Sequence, residues 1–151
     1  LEAQARSVAP NVQFVGFVNR ETLRSLYESS QILVFPSIQE NFPMVLLEAM
    51  DAGCAIVTTN AEGCAEVVGD AGLVVPTGDP QGIRAALDKL MHEPELVRNL
   101  AGRARARAAR LTWPNIVGRY REVLQAAISQ RSPTTTRTIE VPTASTPQAL
   151  R

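Results

Sequence analysis

Three short apolar runs, ILVFP at residues 32–36, AIVTT at 55–59 and GLVVP at 72–76, recur between stretches of helical periodicity. None of the three alternates apolar with polar residues. A strand without that alternation must be covered on both faces, and the parallel sheet of an α/β protein provides such cover. The intervening segments supply it. Asn19 can cap a helix over residues 20–29, with Leu23, Leu26 and Tyr27 on its apolar face. A second helix runs over about 43–52 and stops at Gly53. The segment NAEGC, 60–64, reads as a loop, and AEVVG, 65–69, as one short helical turn. Asp79 followed by Pro80 starts a longer helix, with Ile83, Leu87 and Leu90 on its buried side. Pro94 starts another that reaches about residue 110, and Thr112 caps a last one over about 113–128. Upstream, VQFVGFV at 12–18 alternates and reads as a strand ending near Gly16. The expected fold is α/β with a mostly parallel sheet.

Charge narrows the partners. Fifteen basic residues balance fifteen acidic ones, so nothing global argues for nucleic acid or an anionic membrane surface. No apolar run is long enough for a membrane span, and no signal peptide opens the chain. The first residues, LEAQARSVAP, read as a start in mid-sequence, so the chain is expected to be a piece of a larger protein. Cys54 and Cys64 stand ten residues apart without a CxxC pair, which favours reduced thiols over a metal or redox site. His92 is the single histidine and there is no GxSxG, so no hydrolase triad can be assembled. The arginines at 98, 103, 105, 107 and 110 could form a phosphate or lipid patch. Interspersed with alanines, they read better as a solvated helix face. Residues 129–151 are rich in Thr, Ser and Pro and cannot bury enough surface to offset their ordering entropy, so disorder is expected there and a domain over 1–128.

Ligands of open parallel sheets bind at the carboxyl ends of the strands. Two loops qualify, 37–42 after ILVFP and 60–64 after AIVTT. The helix that begins near Pro43 has free N–H groups in its first turn, and since Pro43 has none, Met44 and Val45 are the donors. Two carboxylates flank this turn within the run ENFPMVLLEAM: Glu40 in the loop, and Glu48 on a helix face shared with Val45 and Ala52. A glutamate inside an apolar helical run usually sits at a face edge, solvated or ion-paired. The other reading is a carboxylate turned toward a neutral, hydroxyl-rich ligand such as a sugar. The residues alone leave both open.

The stretch PSIQENFPMVLLEAMDAGCAIVTTNAEGCAEVVGDAGLVVPTGDP resembles the donor-binding signature of retaining GT-B glycosyltransferases, glycosyltransferase family 4, also called glycosyl transferases group 1. The elements come in that family's order over residues 8–128. The resemblance implies a partial Rossmann-like sheet followed by C-terminal helices. It implies transfer of a sugar from a nucleoside-diphosphate sugar to an acceptor hydroxyl, with retention at the anomeric carbon. Glu40 would be the catalytic residue, against the donor sugar near its reacting carbon, and Glu48 would hold the ribose hydroxyls. The amides of Phe42, Met44 and Val45 would face the sugar and the diphosphate, with Asn41 and Pro43 in the same loop and Gly63 bordering the pocket. Without a DxD motif, neither a cofactor nor an obligatory metal is expected.

The family often reads E-G-F-G-L where this chain has Glu40, Asn41, Phe42, Pro43 and Met44, and Glu62 stands where the family often has the first of two glycines. The resemblance further implies two preceding strands with an Arg/Lys pair for the diphosphate, and an N-terminal acceptor domain. Their absence would leave an apolar sheet edge. The expected partners are a nucleotide-sugar donor and an acceptor glycan, lipid or small molecule. The expected place is the cytoplasm, or the inner membrane face through the missing part. Two rival functions stand beside transfer: a non-catalytic nucleotide-sugar-binding module that needs a partner chain, and a GT-B-type nucleotide-sugar epimerase.

Overall fold

The three apolar runs are the sheet. In the computed structural model, which describes residue 9 and residues 11–130, they form strands β1 (Ile32–Phe35), β2 (Ala55–Thr59) and β3 (Gly72–Val75). All pairings are parallel and the order is β1-β2-β3, with Ile32 opposite Ala55 and Ile56 opposite Gly72. Among the described residues six helices accompany them: α1 (Arg20–Ser29), α2 (Met44–Ala52), α3 (Glu62–Val68), α4 (Pro80–His92), α5 (Pro94–Ala108) and α6 (Trp113–Gln130). The chain is a mixed α/β protein, as its pattern predicts.

β2 sits in the middle and every residue of it is buried. Ile56 points into a core built from Tyr27 of α1, Leu46, Ala49 and Met50 of α2, and Cys64, Val67 and Val68 of α3. Ala55 and Val57 point the other way, into a core with Ala86 and Leu90 of α4 and Leu100 of α5. Burying one such aliphatic side chain contributes about 1.5–3 kcal/mol. α5 serves both cores, because its Ala104 and Ala108 pack on the first.

The helix boundaries follow from local chemistry. The Asn19 carboxamide accepts from the Thr22 amide at 2.8 Å, and the Asp79 carboxylate accepts from the Gly82 amide at 2.9 Å. Each satisfies a donor that the first helical turn leaves unpaired. Gly53 ends α2 in the left-handed region, φ 94°, which an L side chain adopts only at a cost.

Some expectations need correction. Residues 12–18 are not a strand. Among the described residues no strand pairs with them, and Gly16 turns to φ 63°, so the run has neither a ladder partner nor an unbroken extended conformation. The loop after β2 is shorter than expected, because α3 begins at Glu62 with Ala61 as its cap residue. α5 stops at Ala108 and α6 continues to Gln130. The expected disorder from residue 131 onward lies outside the described residues. The chain divides into two compact units, residues 1–112 and 113–151, and α6 belongs to the second. No described helix is long and apolar enough to cross a membrane.

The arginines of α5 are not simply a solvated face. Arg105 donates from Nε to the Asp51 carbonyl at 3.2 Å and from Nη2 to the Ala52 carbonyl at 2.9 Å, at the C-terminus of α2. Arg107 does the same at the C-terminus of α3, from Nε to Val67 O and from Nη2 to Glu66 O, both 2.7 Å. The last carbonyls of a helix lack intrahelical donors and carry partial negative charge, so a guanidinium fork fits there on both counts. Arg103 pairs with Asp70, and its guanidinium holds that carboxyl below its ordinary range. Arg98 pairs with Glu95 along α5. The helical period identified an arginine-rich face, but not the carbonyls it would meet.

α1 is tied to the start of β2 by a thiol. Cys54 is fully buried, and its Sγ donates to the carbonyls of Tyr27 at 3.3 Å and Ser30 at 3.4 Å. Burial pushes the thiol above its ordinary 9.0. The unfolded chain therefore loses this proton first as pH rises, the native state holds more protons, and stability falls above about pH 9. Urea unfolding between pH 7 and 10.5 is expected to show this decline in the wild type and a shallower one in Cys54→Ser. Tyr27, also raised, adds a further decline beyond its ordinary 10.0.

Candidate functional site

The loops that follow β1 and β2 lie against each other, and the last two residues of β2 hold them there. Thr58 Oγ1 donates to the Phe35 carbonyl at 2.8 Å, and Thr59 Oγ1 donates to the Ser37 carbonyl. The Ala61 amide in turn donates to Thr59 Oγ1 at 3.4 Å. These buried hydroxyls are the only polar side chains in a strand otherwise filled with apolar ones, and both are satisfied. Asn60 joins the end of β3: its amide donates to Val75 O, and its side-chain oxygen accepts from the Thr77 amide, both at 2.8 Å.

Across this seam Gly63, in the first turn of α3, donates its amide to the Glu40 carbonyl at 3.2 Å. A Cβ at position 63 would lie 2.6 Å from the Asn41 carbonyl carbon and 2.8 Å from the Glu40 carbonyl oxygen. Both are backbone atoms, so no side-chain rotation relieves the overlap. Here only glycine permits the approach. Glu40, Asn41 and Gly63 therefore meet. The Glu40 side chain is half-buried, and its Oε1 lies 3.4 Å from Ser37 Oγ, whose single proton is shared with the nearer Gln39 carbonyl at 3.2 Å.

α2 leaves the same place. Pro43 is buried at its N-cap position and no side chain caps the helix, so the amides of Met44 and Val45 stand at an open first turn. The Phe42 and Met44 side chains are exposed, while Val45 is half-buried.

Glu48 is placed differently. With Leu46, Ala49 and Met50 facing the core, Glu48 is left half-buried on the side of α2 turned toward α1. There it lines a cavity of about 610 Å³ together with Arg20, Arg24 and Tyr27 of α1, Asp51 of α2 and Arg105 of α5. Glu40 is not among the residues lining this cavity. Among the described residues the Glu48 carboxylate accepts no hydrogen bond and forms no ion pair, whereas Arg24 of the same cavity is paired with Glu28. Burial, reinforced by the charge of Glu48, pushes the Tyr27 phenol up from its ordinary range. The described residues hold no cluster of three or more His, Cys, Asp or Glu side chains suited to a metal ion.

Sequence reasoning pointed to the loops, the open first turn, both acids and Gly63; the structure brings Glu40 and Gly63 together and leaves Glu48 in a cavity that Glu40 does not line. That reasoning missed Ser37, Thr58 and Thr59, although a pair of threonines closing an apolar run was the available signal. It also missed that α1 supplies the wall opposite Glu48. Replacing Gly63 by Ala is expected to destabilise the chain by roughly 1–3 kcal/mol, as overpacking does. It should also shift the amide resonances of Glu40 and Asn41, while Gly102→Ala, inside α5 where a Cβ meets nothing within 4 Å, leaves those resonances near wild type and raises stability by up to about 1 kcal/mol.

The family model described as "Glycosyl transferases group 1" matches residues 1–107. The O-antigen chain mannosyltransferase B of Escherichia coli is 34% identical over 104 residues, covering 69% of this chain and 27% of that protein. The phosphatidyl-myo-inositol mannosyltransferase of Mycolicibacterium smegmatis is 34% identical over 116 residues, covering 75% of this chain and 30% of that protein. Among solved structures, the sucrose-phosphate synthase of Thermosynechococcus elongatus superposes with a TM-score of 0.72 at 26% identity, over 85% of this chain and 33% of that one. The chain thus spans about a third or less of the length of these relatives. Matched over most of its length, this chain belongs to the glycosyl transferases group 1 family.

Proposed function

We propose that this chain is the donor-binding part of a retaining glycosyltransferase that uses a nucleoside-diphosphate sugar. The observation that carries the reading is Glu48: a half-buried carboxylate without an intramolecular partner among the described residues, lining a cavity of about 610 Å³. Leaving such a group half out of water without a partner costs free energy, and a ligand that donates hydrogen bonds recovers it. Vicinal ribose hydroxyls are such donors, and the cavity volume lies in the range typical of small-molecule sites.

The other proposed parts lie outside the lining of that cavity, at the first turn of α2 and in the loop before it. The Met44 and Val45 amides, at a helix terminus that no side chain caps, suit the diphosphate. Glu40, whose backbone carbonyl accepts from the Gly63 amide and whose carboxylate lies beside Ser37, would accept hydrogen bonds from the donor sugar. In the reaction the bond between the anomeric carbon and the diphosphate oxygen breaks, and a bond from that carbon to the acceptor oxygen forms. The acceptor hydroxyl's proton passes to the diphosphate oxygen whose bond to the anomeric carbon breaks, and the nucleoside diphosphate leaves. The amides of α2 stabilise charge that grows on the leaving diphosphate, which is where fixed dipoles act most strongly. The acceptor, a glycan, a lipid or a small molecule, would meet parts of the protein beyond this chain.

Calorimetric titration of the chain with UDP, GDP and ADP tests the donor role. One of them should bind, and Glu48→Ala should weaken that binding roughly 10–100-fold, the worth of one or two charged hydrogen bonds. Unchanged affinity would remove Glu48 from the ribose. In the whole protein, Glu40→Gln should lower kcat by roughly 10²-fold while nucleoside-diphosphate affinity stays within about threefold. The reverse pattern would mean that the two acids exchange roles. NMR of the product's anomeric proton decides the stereochemistry, and inversion would end the retaining assignment.

A further inference from the structure

We infer that Arg105 is the positioning residue for Glu48, a role that rests on the donor-binding reading for its functional weight but on the fold for its geometry. α2 has nine residues and Glu48 stands four before its end, so its carbonyl belongs to the last turn. The sides of α2 are fixed by Leu46, Ala49 and Met50, which are fully buried. Apolar packing of this kind sets the rotation of a short helix. It resists sliding along the helix axis less, because smooth aliphatic contacts are not directional.

Axial position needs a directional contact, and α2 has one at its C-terminal end. No side chain caps its N-terminus. At the C-terminus, Arg105 reaches from α5 and bridges the Asp51 and Ala52 carbonyls with two nitrogens of one guanidinium. Gly53 makes the room: a Cβ there would fall 2.5 Å from Arg105 Nη2. Arg105 also lines the cavity that Glu48 lines. Arg105 thus fastens the turn that carries Glu48 at the wall of the cavity that Glu48 serves. A lysine cannot reproduce this, since an ammonium is a point donor and lacks the planar fork that spans two carbonyls.

Arg107 is the internal comparison. It makes the same fork on α3, at the Glu66 and Val67 carbonyls, but α3 does not carry Glu48. A purely structural role would make the two arginines equivalent. A positioning role makes only Arg105 matter to Glu48.

The first experiment needs no ligand. With glutamate side-chain carboxyls labelled with carbon-13, Arg105→Ala should shift or broaden the Glu48 resonance and speed exchange of the Gly53 amide, which donates to Ala49 and Met50, by about tenfold. Arg107→Ala should leave the Glu48 resonance at its wild-type position, and Arg105→Lys, the milder change should Arg105→Ala fail to fold, should fall between. An unmoved Glu48 in the Arg105 variants, or an equal movement in Arg107→Ala, overturns the inference.

The second experiment is a double-mutant cycle on nucleoside-diphosphate affinity. Arg105→Ala should weaken binding about tenfold in the wild-type background and add nothing once Glu48→Ala is present. An equal loss in both backgrounds would mean that Arg105 acts on the ligand directly, which also overturns the positioning role. If Glu48→Ala leaves affinity unchanged while Arg105→Ala still moves the Glu48 resonance, the donor-site reading falls alone and the positioning of Glu48 stands.

Discussion

The whole arrangement hangs on β2, a strand buried along its entire length between two cores. Its first three residues fill both sides of the sheet, Ile56 one way and Ala55 and Val57 the other. Its last two turn from packing to anchoring, with hydroxyls that hold the chain leaving β1. One five-residue segment therefore fixes the sheet and also the edge of the candidate site. The threonines do this inside a buried strand because each hydroxyl has an acceptor. Without those acceptors each buried hydroxyl would cost about 1–3 kcal/mol.

Around that strand, precision comes from close approaches and forks. Gly63 lets the first turn of α3 touch the backbone of Glu40 and Asn41, so a loop and a helix from different strands share one boundary. At the opposite ends of the helices, α5 contributes two guanidinium groups that meet the terminal carbonyls of α2 and α3. Gly53 and Gly69 stand beside those arginines with positive φ. There a Cβ would strain the backbone and strike the guanidinium. The helices are thus held at one end by backbone contact near the site and at the other by charge-assisted hydrogen bonds.

Membership of the glycosyl transferases group 1 family gives this geometry its meaning. In that setting the open first turn and the half-buried acid are what we propose as parts of a donor-binding surface. Glu40 and Glu48 belong to one sequence run, yet the chain places them differently. Glu40 lies in the seam between two loops, and Glu48 in a cavity walled by α1.

The sequence by itself determined the elements. Short apolar runs bounded by turn residues read as strands, although only β2 is buried along its whole length and Val74 of β3 is exposed; Asn19, Gly53 and Asp79 mark helix ends by chemistry that acts within one turn. It also determined the candidate acids, because a carboxylate in an apolar run must find a partner or an edge. Where the sequence misled, the missing information was non-local. Residues 12–18 have the alternation of a strand, but a strand is defined by a neighbour, and among the described residues none pairs with them. The arginines of α5 look like a solvated face until the helix is docked, when two of them meet carbonyls 40 and more residues away in sequence. Only the tertiary structure decided those pairings and the wall opposite Glu48. A hydrogen bond across the fold depends on where two segments come to rest, and local periodicity carries no record of that.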